Sequence, residues 1–209
     1  MEDKQLEILK IATQEFAVNG YYKAKTDTIA EEAKVSKGLV FHYFKSKKNL
    51  YIETIREAVK TLEATFDESE IPQDSLVELF DYSLKKKFEI EQTHQDQMQL
   101  MLEVYSNLDH LPEELNDEIA EFIEKVRNDN YEMVARIVRR LPMKNGVREE
   151  DVISLVVSLF NQLEAEAKES VKGQEVKELS FFDKQVSDAK RKISILEDGF
   201  LRVNKNFSR

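Results

Sequence analysis

Apolar side chains recur at helical spacing along almost the whole chain, first as Ile8, Ala12 and Phe16 and later as Leu76, Phe80, Leu84 and Phe88. No stretch shows the alternation of a strand bounded by turn residues, so the pattern predicts an all-α protein. Punctuation comes from Asn19-Gly20, Ile71-Pro72, Leu111-Pro112, Leu141-Pro142, Asn145-Gly146 and Lys172-Gly173, which read as helix ends or turns. Between them the spacing predicts about nine helices, over 3–18, 26–33, 37–43, 47–67, 74–92, 95–108, 113–140, 148–171 and 175–204. Three short helices precede six longer ones. The expected organisation is a three-helix N-terminal unit in residues 1–48, joined through a continuous fourth helix to a helical bundle in residues 49–209.

Composition narrows the class. With 41 % apolar and 34 % charged residues, five Gly and three Pro, the 209-residue chain is neither collagen-like nor low-complexity nor of disordered type. The absence of Cys excludes a disulfide framework, thiolate metal sites and a cysteine nucleophile. The longest mostly apolar run, Val152 to Phe160, is about half the length of a membrane span. The opening MEDKQLEILK is charged throughout and has no secretory character, so a cytoplasmic address and no membrane partner are expected.

Net charge is −10, but it is unevenly distributed. Residues 1–50 carry nine Lys, no Arg and seven acidic residues, leaving 22 basic and 34 acidic residues for the remainder. Between Lys23 and Lys48 seven lysines meet only Asp27, Glu31 and Glu32. A basic head on an acidic body confines any contact with nucleic acid to the head.

The stretch TDTIAEEAKVSKGLVFHYF, Thr26 to Phe44, reads as a helix-turn-helix. Ile29, Ala30, Ala33, Val35, Val40 and Tyr43 stand where two short helices interlock, the alanines admitting close approach and Val35 plugging the turn. Thr26 and Ser36 are expected to cap the first and second helices through their hydroxyls, at helix ends suited to receive phosphate. Lys37, Gly38, Leu39, Phe41 and His42 then lie on or near the outward face of the second helix, whose N-terminal residues would meet base edges in the major groove. Lys45, Lys47 and Lys48 follow at positions suited to phosphates.

Residues 5–55 resemble the DNA-binding domain of the TetR family of transcriptional regulators: a first helix with Phe16 and then Gly20, the run IAEEAKVSKG, the cluster FHYF and KSKKNLY occur in the family's order. The resemblance implies a homodimer reading a palindromic operator in double-stranded DNA, released by a small-molecule inducer bound in the C-terminal part. It implies DNA contacts from Thr26, Ser36, Lys37, Gly38, Leu39, Phe41, His42, Tyr43 and Lys47. Three positions depart from the family pattern: Lys34 replaces the usual turn Gly, Phe41 a usual Tyr, and Lys25 a small hydroxyl residue.

For the body, the resemblance implies that the last two helices form the dimer interface, with Val152, Leu155, Leu159, Leu163, Ile193, Leu196 and Phe200 as candidates. An intramolecular core is the other account of the same side chains. An apolar ligand cavity would draw on Phe80, Leu84, Phe88, Met98, Met101, Leu102, Tyr105, Phe122, Tyr131 and Gln162, although such stripes also serve as core. Enzymatic chemistry is not expected. The chain has three His, and Glu91 with His94 forms one Glu-x-x-His step without a second, so neither metal nor cofactor is expected. The alternative function is a helical bundle that binds a small molecule or partner protein without DNA.

Overall fold

The structure, a computed structural model of the chain, describes residues 2–171 and 183–201. Among the described residues it is helical: α1 (Glu2–Lys23), α2 (Thr26–Glu32), α3 (Lys37–Phe44), α4 (Lys47–Glu63), α5 (Leu76–Thr93), α6 (Gln95–Asn107), α7 (Glu113–Val138), α8 (Glu149–Val171) and α9 (Asp183–Phe200), with one 3-10 turn at Leu108–His110. No helix among them is long and apolar enough to cross a membrane.

Local chemistry sets most of the boundaries. Ser46 accepts the Asn49 N–H at 3.0 Å to start α4, and Ser75 accepts the Glu78 N–H at 3.3 Å to start α5. Pro112 precedes α7, whose first turn carries Glu113 and Glu114 at the positive end of the helix dipole. Lys144 closes α9, its Nζ donating to the carbonyls of Asp198 and Gly199 at 2.9 Å each.

Three elements differ from expectation. α1 does not stop near residue 18: Gly20 takes φ 63° and ψ 178° within it, and one further turn follows before Lys23. Asn19-Gly20 is therefore a break rather than an end. α4 ends at Glu63, short of residue 67, where the Thr65 hydroxyl turns back to the Leu62 carbonyl at 2.7 Å. The helix expected over 175–204 is described from Asp183; residues 172–182, with Phe181 and Phe182, and residues 202–209 lie outside the described residues.

The chain packs as two compact units. The first comprises the chain up to Asp67 with Glu89–Glu124, so α4, α6 and the start of α7 join the three N-terminal helices. Its core includes Ile8, Phe16, Ile29, Val40, Tyr51, Leu100 and Ile119. Phe16 and Tyr51 meet edge-on at its centre, with ring centroids 4.8 Å apart. The second unit takes Glu68–Phe88 and the described residues from Lys125 onward, with Phe80 edge-on to Phe160 at 5.2 Å among Leu76, Val138, Val156 and Ile193.

Phe16 has no exposed surface. Phe16→Ala is expected to destabilise the first unit by about 3–5 kcal/mol, measured as a fall in the denaturant midpoint.

Candidate nucleic-acid interface

The turn between α2 and α3 is built by hydrogen bonds at the end of α2. The Lys34 N–H bonds the Glu31 carbonyl at 3.0 Å and the Val35 N–H the Ala30 carbonyl at 2.9 Å, a paired closure that requires a left-handed residue after the helix. Lys34 supplies it at φ 53°. Two residues on, the Ser36 hydroxyl accepts the Leu39 N–H at 3.1 Å and starts α3, as expected. Ile29, Ala30, Ala33, Val40 and Phe44 are buried beneath the turn, and Val35 and Tyr43 pack against them half-buried.

Thr26 does not cap α2. It is the helix's first residue; Lys25 occupies the capping position in an extended conformation without a capping side chain. The N–H of Lys25 bonds instead to Glu15 Oε1 at 2.9 Å, a partner ten residues away that the local pattern does not reveal.

The outward side of α3 exposes Lys37, Gly38 and His42, with Ser36 exposed before it and Leu39 and Phe41 half-buried. Gly38 has no structural need to be glycine. A Cβ built there would meet only the Ser36 Oγ at 3.8 Å, an ordinary contact.

The lysines around α3 are held by specific partners. Lys37 pairs with Asp27 at 2.8 Å, both largely exposed, and such a pair contributes little stability. Lys45, also left-handed at φ 65°, donates to the His42 carbonyl at 2.7 Å and so caps α3 from its C-terminal end. Lys47 donates to the Tyr22 carbonyl at 3.2 Å and lies 5.2 Å from the centre of the Tyr21 ring. Burial pulls the Lys47 ammonium below its ordinary pKa, while Glu15 partly restores it. Lys48 reaches Glu114 at 3.4 Å.

The other expected sites divide between the two units. Phe80 and Leu84 are buried in the second core, with Phe88 and Tyr131 half-buried against it. Gln162 is exposed and donates to Glu166 at 3.0 Å. In the first unit Met101 is buried, Met98 is half-buried, and Phe122 lies under the Arg56 guanidinium at 5.6 Å. Leu102 and Tyr105 are exposed on α6. Of the interface candidates, Val152, Leu163, Ile193 and Phe200 are buried within the second unit's core, and Leu159 and Leu196 are half-buried against it. Leu155 is 56 % exposed, as is Ile195 at 67 %, which sequence reasoning did not single out.

Two short helices, a left-handed turn and an exposed, Ser-capped second helix define a helix-turn-helix head of the DNA-binding kind. Residues 8–54 match the family model described as bacterial regulatory proteins, tetR family. It is 36 % identical over 63 residues to the HTH-type transcriptional regulator HbdR of Aromatoleum sp. (strain CIB), covering 30 % of this chain and 28 % of that protein. It is 31 % identical over 93 residues to the HTH-type transcriptional regulator YhgD of Bacillus subtilis, covering 44 % and 49 %. These likenesses thus span less than half of each relative's length.

Among solved structures, the fold is similar to that of a transcriptional regulator from Saccharomonospora viridis in complex with choline, at 15 % identity and TM-score 0.65, covering 97 % of this chain and 100 % of that one. It is also similar to FadR from Bacillus subtilis in complex with stearoyl-CoA, at 17 % identity and TM-score 0.61, covering 93 % and 98 %.

Left-handed backbone costs a non-glycine residue on the order of 1 kcal/mol. Lys34→Gly is therefore expected to raise stability by about that amount, seen as a higher urea midpoint at unchanged slope.

Proposed function

We propose that the protein is a ligand-responsive transcription regulator, a homodimer whose paired heads bind a palindromic operator and are released when a small molecule binds the C-terminal part. Gly38 carries the reading. Glycine in a helix costs about 0.5–1 kcal/mol relative to alanine, and neither backbone conformation nor crowding requires it here. Close approach of another molecule's backbone to the exposed start of α3 accounts for it.

In this reading, α3 enters the major groove with Lys37, Leu39, Phe41, His42 and Tyr43 along its reading side. Ser36 and Thr26 lie by the phosphates at the two helix starts, and Lys47 meets phosphate across the groove. Two-fold symmetry doubles the site, and exposed Leu155 and Ile195 on α8 and α9 support a partner surface there. Ligand release follows if the ligand favours a conformation with lower DNA affinity. The similar folds carry ligands as unlike as choline and stearoyl-CoA, so the fold alone does not select the ligand. The protein works as a cytoplasmic regulator and not as an enzyme.

Selection from a random duplex pool, followed by binding measured across a salt titration, is expected to recover a palindrome bound with steep salt dependence. Failure to bind any duplex specifically, even at low salt, would leave the bundle without DNA activity as the better account. With the selected duplex, Gly38→Ala is expected to raise stability by about 0.5–1 kcal/mol yet weaken binding, opposite signs in one variant.

Leu155→Glu combined with Ile195→Glu should convert the dimer to a helical monomer in sedimentation velocity and abolish tight operator binding. A dimer that survives both changes would refute this placement of the interface.

A further inference from the structure

Glu103 lies on α6, outside every set of residues assigned above, and joins three helices of the first unit. Its Oε2 accepts the Tyr51 hydroxyl of α4 at 3.2 Å, and its Oε1 accepts the Asn107 amide of its own helix at 3.2 Å. Its third neighbour is the break in α1. A Cβ built on Gly20 would overlap Glu103 Oε1, so the carboxylate occupies the place a side chain would take. Left-handed φ restricts Gly20 as well, and the two constraints reinforce each other.

The residues that follow the break hold Lys47. Tyr22 offers its carbonyl and Tyr21 its ring, which in turn rests on Tyr51 with centroids 5.1 Å apart. Burial pushes the Glu103 carboxyl above its ordinary pKa, against the hydrogen bonds from Tyr51 and Asn107 that lower it. A carboxylate kept in an unfavourable environment, with no ion pair to a cation among the described residues, is held there by what it arranges.

We propose that Glu103 is a positioning residue for DNA binding: by seating the Gly20 break and the Tyr51 hydroxyl, it fixes where Lys47 presents its ammonium. The inference rests on the DNA-reading role proposed above. Ser46 anchors only the backbone at the start of α4. The Lys47 stem is long and flexible, so its head group is localised by the Tyr21–Tyr22 cradle, and the cradle is localised by Glu103.

The test compares wild type, Glu103→Ala, Glu103→Gln, Lys47→Ala and the double variant Glu103→Ala/Lys47→Ala on the selected duplex, with helicity and melting followed in parallel. Glu103→Ala is expected to weaken binding about tenfold, while Glu103→Gln, which retains an acceptor for Tyr51, stays within about threefold. The double variant should bind no more weakly than Lys47→Ala alone, because one residue acts through the other. Wild-type affinity in folded Glu103→Ala, or fully additive losses, overturns the proposal.

Should Glu103→Ala fail to fold, Tyr51→Phe removes only the hydroxyl. Weaker binding that is non-additive with Lys47→Ala then upholds the proposal, and unchanged binding overturns it. A wild-type protein that binds no duplex would instead defeat the DNA-reading role itself, before any variant is considered.

Discussion

The edge-on contact of Phe16 with Tyr51 organises the first unit, because it ties α1 to α4 at a point where neither ring has exposed surface. The helix-turn-helix contributes few large side chains of its own. Ile29, Val40 and Phe44 are its substantial buried groups, and Ala30 and Ala33 serve mainly by being small. A chain of about 40 residues rarely buries enough surface to fold unaided. The head is completed by Leu100 and Val104 of α6 and by Leu115 and Ile119 of α7, which share its core. Substitutions on α6 can therefore affect the head without being near α3 in sequence.

Positive charge on this unit is placed rather than merely abundant. Lys45 and Lys47 each donate to a carbonyl, and Lys37 and Lys48 each face a carboxylate. Both left-handed lysines flank α3, but they differ in compensation. The Lys45 side chain caps the helix it terminates, whereas Lys34 completes the end of α2 through its backbone alone. Cations held near fixed positions lose less conformational freedom when phosphate arrives, and pairs such as Lys37–Asp27 are weak enough to exchange their partner.

The body shows why an apolar stripe does not state its own use. Along α8, Val152, Val156 and Leu163 point into one core, while Leu155 lies about 100° round the helix from Val156 and faces outward. The same composition therefore serves as interior on one side and as candidate partner surface on the other. Phe80, Leu84 and Tyr131 share the second core, while Met101 and Phe122 share the first, so side chains grouped by type in a sequence are separated by packing.

Sequence alone determined what local forces decide. Helical period, the cap at Ser36, the basic stretch and the helix-turn-helix are legible because each depends on residues within a few positions of one another. Of the side chains expected to interlock there, Ile29, Ala30, Ala33 and Val40 are buried for the same reason, and Val35 and Tyr43 are half-buried against them. Only tertiary structure decided the rest. Thr26 lost its capping role because Glu15 reaches Lys25 from α1, and Asn19-Gly20 became a break because the chain could continue past it with Glu103 filling the open side of the glycine. Glu103 itself carries no local signal. Its role depends on residues 52 and 83 positions away, brought together by the burial of two aromatic rings, and helical periodicity contains no information about which distant face will supply such partners.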